Sequence, residues 1–103
     1  MVESIPYEQL EKAAECFRIM AHPARLRMVE ILLTGEHPVC EVARLCGLSQ
    51  HQTCGHLRLL LGHGLLGSQR RGREVYYRVV NPQLPKMLDC IRSACATGSE
   101  QDV

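Results

Sequence analysis

Tryptophan is absent from this 103-residue chain and phenylalanine occurs once. With three tyrosines the aromatics reach only 4%, so the core has to be aliphatic. Uninterrupted apolar runs stop at three or four residues, whereas a membrane-spanning helix needs about 20 in succession. The opening MVESIPYEQLEK has neither the basic flank nor the apolar stretch of a secretory signal. Internal repeats and low-complexity segments are also missing. Collagen-like, coiled-coil, disordered, secreted and membrane classes are thereby excluded, and a cytoplasmic domain is expected. At 46% apolar and 22% charged residues it is one ordinary globular unit. A chain this short buries limited apolar area, so association with a second copy is expected.

Cysteine is the residue in excess, with six copies at Cys16, Cys40, Cys46, Cys54, Cys90 and Cys95. A disulfide framework would need an oxidising compartment. The spacings contain no C-x-x-C and no zinc-ribbon pair, and the five histidines form no H-x-x-x-H pair. Reduced thiols are the default reading.

The net charge of +1 conceals a division along the chain. Residues 1–49 carry five basic and seven acidic side chains, and residues 81–103 carry two and three. Residues 50–80 carry five arginines against one glutamate. A basic block on a near-neutral protein implies a local surface for a polyanion.

Periodicity places the elements. Leu10, Ala13, Ala14 and Phe17 recur at helical spacing within Tyr7 to Met20. Pro23 suits the first turn of a second helix over residues 24–34, with Leu26, Val29 and Leu33 on one face. His37-Pro38 resets the chain before a short third helix carrying Val39, Val42, Ala43 and Cys46. Gly47 suits a left-handed helix terminus, and Ser49 an N-cap. A fourth helix spans about Gln50 to Leu61, with Thr53, Leu57, Leu60 and Leu61 facing inward. His51, Gln52, Gly55 and Arg58 face outward, with Cys54 on the boundary. The period then switches to two: Leu65–Arg70 and Glu74–Val80 flank the turn Arg71-Gly72-Arg73 as a β-hairpin. After Asn81-Pro82 a last helix runs to about Ala96, striped by Leu84, Leu88, Ile91 and Cys95. The expected division is an N-terminal tail at 1–6, one domain over 7–96, and a flexible tail at 97–103.

Short helix, glycine turn, capped helix and basic hairpin, in that order, describe a winged helix-turn-helix. The fold class is mainly α with a two-stranded wing. A 12-residue helix at about 1.5 Å per residue spans about 18 Å, enough to lie in a major groove. Candidate DNA contacts on and around it are Ser49, Gln50, His51, Gln52, Cys54, His56 and Arg58. Glutamine can pair bidentately with adenine, while arginine suits guanine or phosphate. At the hairpin tip Arg70, Arg71 and Arg73 suit phosphates or a minor groove.

Three blocks in order, AHPARLRMVEIL, PVCEVARLCGLSQHQTCGHLRLLLGHGLL and RRGREVYYRV, resemble the ArsR/SmtB family of bacterial winged-helix repressors. The resemblance covers about residues 7–96. It implies a homodimer through the first and last helices, an inverted-repeat operator in double-stranded DNA, and release by an inducer. Two reading helices would then lie about 34 Å apart. The chain departs from the family at Cys54, usually Ser, and at Gly55, usually a larger polar residue.

The family's inducer sites find only partial matches. Its C-V-C motif corresponds here to Pro38-Val39-Cys40, with one thiol missing, and His37 is a weak substitute. Its zinc site on the last helix would fall on Asn81, Gln83, Ala94 and Thr97, which cannot form one. Cys46 stands where the family commonly has Leu and reads as core. His22 in the A-H-P turn reads as structural, and His63 as a helix-end residue. Candidate sensing thiols are Cys16, Cys40, Cys90 and Cys95. No cofactor is required; arsenite or a soft metal ion is the implied inducer. The alternative is a redox or reactive-sulfur sensor working through a disulfide or polysulfide. More remote are a thiol enzyme using Cys54 beside His51 or His56, and a winged helix that binds protein.

Overall fold

The computed structural model describes residues 3–101, and of 96–101 the backbone alone. Five helices and three short strands follow one another as α1 Tyr7–Met20, α2 Pro23–Leu32, β1 His37–Pro38, α3 Val39–Cys46, α4 Gln50–Gly62, β2 Leu66–Arg71, β3 Glu74–Val79 and α5 Gln83–Gln101.

Local chemistry sets the boundaries. Pro23 occupies the first turn of α2, and the preceding His22 caps it by accepting from the Ala24 N–H at 3.2 Å. Gly47 ends α3 at φ +70, where a side chain would be strained. Two residues later Ser49 opens α4 with a reciprocal capping box. The Ser49 hydroxyl accepts from the Gln52 N–H at 3.1 Å, and the Gln52 side chain accepts from the Ser49 N–H at 3.3 Å. Between β2 and β3 the chain reverses at Gly72 and Arg73. Only Gly72, at φ +65, has a positive φ there, as the first position of a type II′ turn requires.

A third strand joins the expected hairpin. β1 pairs antiparallel with β3, His37 opposite Tyr77 and Pro38 opposite Tyr76, giving the order β1-β3-β2. Two residues are too few for a period-two signal, and proline is acceptable on an edge strand.

The core is aliphatic. Met28, Val29 and Leu32 of α2, Val42 of α3, Leu57 and Leu60 of α4, and Leu84 and Leu88 of α5 pack with Ile19, Met20, Leu65, Leu66 and Tyr77. Among the described residues Thr53 is the one fully buried polar side chain, and its hydroxyl finds no partner there.

Two helices leave much of their apolar stripe uncovered within one chain. The stripe Leu10, Ala13, Ala14 and Phe17 on α1 is exposed, and α1 packs instead through Ile19 and Met20. On α5 Leu84 and Leu88 are buried, but Ile91 and Cys95 face solvent. α5 also continues to Gln101 rather than stopping near Ala96. Gly98 costs an α-helix only about 1 kcal/mol and, unlike proline, breaks no hydrogen bond. Of the tail expected at 97–103, residues 97–101 are therefore helical; Asp102 and Val103 lie outside the described residues.

Candidate nucleic-acid interface

α4 is anchored from behind. Thr53, Leu57 and Leu60 are completely buried, each apolar side chain worth about 1.5–3 kcal/mol of burial. The opposite face consists of Gln50, His51, Gln52, Gly55, Arg58 and Gly62, all exposed. Gly55 sits at the middle of that face, and a Cβ built there meets nothing within 4 Å. The outward face is thus a shallow trough between His51 and Arg58.

Cys54 is half-buried, next to the fully buried Thr53 on α4. Tyr77 of β3 lies beside it. Burial, then the Cys54 thiol, push the Tyr77 hydroxyl pKa up, while the nearby Arg58 opposes them. The thiol thus lies at the boundary between the buried and outward faces of α4.

His56 is turned away from that face. Its Nδ1 accepts from Arg25 Nε at 3.2 Å, and its ring meets His22 edge-on with centroids 4.7 Å apart. Arg25 in turn donates to the Ile19 carbonyl at 3.0 Å. Burial, His22 and the Arg25 charge all hold the His56 pKa below the ordinary histidine value. In this structure His56 ties α4 to the start of α2, rather than joining His51 and Arg58 at the surface.

The hairpin tip divides its arginines by strand alternation. Arg70 pairs with Val75 in the register that also matches Ser68 with Tyr77, so it shares the sheet face that looks toward α4. Arg71 pairs with Glu74 on the other face, together with Gln69 and Tyr76. There its guanidinium donates to Glu36 Oε1 at 2.5 Å and to Gln69 Oε1 at 3.0 Å, and lies 4.7 Å over the Tyr76 ring. Arg70 makes only a 3.4 Å contact to the Gly72 carbonyl, and Arg73 occupies the turn itself, exposed. Sequence reasoning grouped the three arginines; the partner Glu36, 35 residues away, was invisible to it.

The candidate thiols do not meet within one chain. Cys40 is exposed at the start of α3, its thiol donating to Glu74 Oε2 at 3.8 Å. His37 beside it is engaged with Thr34 and Glu41 instead. Cys16 lines a cavity with Lys12, Glu15 and His63, Cys90 a groove with Phe17 and Met87, and Cys95 another with Leu26 and Arg92. Burial pushes the Cys16 and Cys46 thiols up, away from the reactive thiolate. Among the described residues no three His, Cys, Asp or Glu side chains converge to hold a metal ion. None of the described helices is long and apolar enough to cross a membrane.

Residues 22–68 match the model of the bacterial regulatory protein family arsR. The HTH-type transcriptional repressor SmtB of Mycobacterium tuberculosis is 32% identical over 90 residues, 86% of this chain and 67% of that protein. The arsenic resistance transcriptional regulator ArsR1 of Pseudomonas putida is 31% identical over 86 residues, 82% of this chain and 66% of that protein. Among solved structures, NolR from Sinorhizobium fredii superposes with a TM-score of 0.77 at 29% identity, covering 90% of this chain and 95% of that one. Joined to an exposed capped helix and a basic wing, these likenesses give the identity: the chain belongs to the ArsR/SmtB family of DNA-binding winged helix-turn-helix transcriptional repressors, which are not enzymes.

Proposed function

We propose that this chain acts as a homodimeric repressor that reads an inverted-repeat operator through α4 and leaves it when an inducer reacts with its cysteine thiols. The observation that carries the reading is the outward face of α4. Gln50, His51, Gln52 and Arg58 stand exposed on a helix fixed by three buried side chains, and Arg70 and Arg73 extend beside it. Ser49 belongs to the same site through its cap, and Cys54 through its place at the edge.

The dimer reading rests on apolar surface. Tyr7, Leu10 and Phe17 of α1 and Ile91 of α5 are 74%, 44%, 59% and 43% exposed. Phe17, Met87, Cys90 and Ile91 border a groove of about 400 Å³ between the two helices. A contiguous apolar face of this kind on a small chain calls for a partner, and a second copy supplies the same face. Phe17→Glu is expected to give monomers in analytical ultracentrifugation, with DNA affinity reduced.

For the inducer, the thiols support arsenite or a soft metal ion, held by cysteines brought together from two copies across α1 and α5. The arsenic-resistance relative agrees with that class. A second reading, an oxidant or reactive sulfur species, is favoured by the absence of a three-ligand cluster within the described chain and by the exposure of Cys40, Cys90 and Cys95. Either event would bias the relative orientation of the two α4 helices, the two-state element that such control requires.

The test uses a duplex selected from a random-sequence pool by the protein itself. Its complex is titrated with arsenite, cadmium, peroxide and polysulfide, for the wild type and for each Cys→Ser variant. Release that disappears at Cys16, Cys40, Cys90 or Cys95 supports thiol sensing, and the agent identifies its class. Release that survives replacement of all six overturns thiol sensing and leaves the DNA reading intact.

A further inference from the structure

Most of the polar contacts behind the wing converge on Arg71, with a longer one from the Cys40 thiol to Glu74 beside them. Glu36 precedes β1, the edge strand added to the hairpin, and its carboxylate takes the Arg71 guanidinium at 2.5 Å. The same guanidinium is held by Gln69 and lies over Tyr76, so three different segments meet on it. The Arg71 and Glu36 side chains are 45% and 33% exposed, half-buried by this arrangement. The other residues from Ser68 to Glu74 are exposed as well. Val75 packs partly against the core on one face of that end, and the guanidinium stack holds the other.

We propose that Arg71 is a positioning residue: clasped by Glu36 and Tyr76 on the back of the sheet, it fixes the angle of the wing so that Arg70 and Arg73 meet the duplex. The proposal rests on the DNA reading above. Alternation supplies the geometry. Arg70 lies on the sheet face that carries Tyr77, and Tyr77 has Cys54 and Arg58 of α4 for neighbours. Arg71 lies on the opposite face, its charge met by a carboxylate and its plane covered by a ring. A guanidinium so engaged is a poor phosphate ligand, because reaching a phosphate would break the ion pair and the stack together. Among the described residues Arg70 has no carboxylate to leave, so it adds its full charge to the α4 side.

The two roles predict opposite signs for one substitution. If Arg71 contacts phosphate, Glu36→Gln removes a competing negative charge and tightens binding. If Arg71 positions the wing, Glu36→Gln loosens the clasp and weakens binding. The experiment measures affinity of the full-length chain for a mixed-sequence duplex of about 30 base pairs over a range of salt, by fluorescence anisotropy. Glu36→Gln and Arg71→Ala are each expected to weaken binding about three- to tenfold at fixed salt, and the double variant no further. The salt slope stays at the wild-type value in all three, whereas Arg70→Ala lowers it by about one. Amide hydrogen exchange at 70–74 quickens in Glu36→Gln while that of α4 is unchanged, a readout independent of DNA. Tighter binding by Glu36→Gln, a slope lowered by about one in Arg71→Ala, or unchanged exchange at the tip would each overturn the positioning role. A wild-type chain that shows no salt-dependent binding would overturn the DNA reading itself and the role with it.

Discussion

The outward face of α4 and the tip of the β2–β3 hairpin present similar polar groups to solvent but are held by different means. Behind α4, Thr53, Leu57 and Leu60 are buried and the N-terminus is closed by a capping box. Behind the wing tip no side chain is fully buried: Val75 packs partly against the core, and the back is held by the Arg71 contacts to Glu36, Gln69 and Tyr76 and by the Cys40 thiol on Glu74. Apolar burial fixes a helix without consuming its surface donors, so α4 keeps His51 and Arg58 on its open face, while Gln52 serves its cap. A polar anchor uses one of the wing's own cations, so a basic tip offers fewer free charges than its sequence suggests.

The sharpest way to break this contrast is to remove the support of α4. Leu57→Ala leaves a cavity where a fully buried side chain stood and should cost about 2–5 kcal/mol in urea denaturation. DNA binding should fall with it. Next in size, Arg58→Ala takes a free cation from the outward face. It should weaken duplex binding by about 1–3 kcal/mol without altering the melting temperature. Ser49→Ala removes the cap that starts α4, at about 1 kcal/mol of stability in the same denaturation assay.

Gly55→Ala sharpens the comparison instead. The added Cβ meets nothing in the free protein, so the helix should gain about 0.5–1 kcal/mol and melt higher. If the trough receives a DNA backbone or base edge, the more stable variant binds duplex more weakly, separating stability from recognition.

The smallest effect concerns acid. The His56 pKa is held below its unfolded value of about 6.5, so below that pH the unfolded chain binds the extra proton more readily. Stability is fully present above about pH 6.5 and declines as pH falls through the folded value. Melting temperatures followed from pH 7.5 downward should drop less steeply in His56→Gln, provided that variant folds.

What the sequence disclosed follows from the range of each interaction. The helices, the Gly47 turn, the Ser49 cap and the inward face of α4 are local or periodic features, and they stand in the structure where the residues imply them. β1 was hidden because two residues carry no period, and its pairing with Tyr76 and Tyr77 spans nearly 40 residues of chain. The contacts that engage His56 and Arg71 were hidden for a related reason: Arg25 and Glu36 reach them from 31 and 35 residues away. The stripe on α1 was legible as apolar, but its exposure shows that periodicity identifies a face and not what covers it.

The most direct measurement is the salt dependence of duplex binding, compared between wild type and Arg58→Ala. With α4 and the wing against the phosphates, the logarithm of affinity falls linearly with the logarithm of salt, and losing Arg58 from each copy makes that fall shallower or weakens it uniformly. Equal affinity and equal slope for the two proteins, or wild-type binding indifferent to salt, would contradict the assignment of this face to DNA.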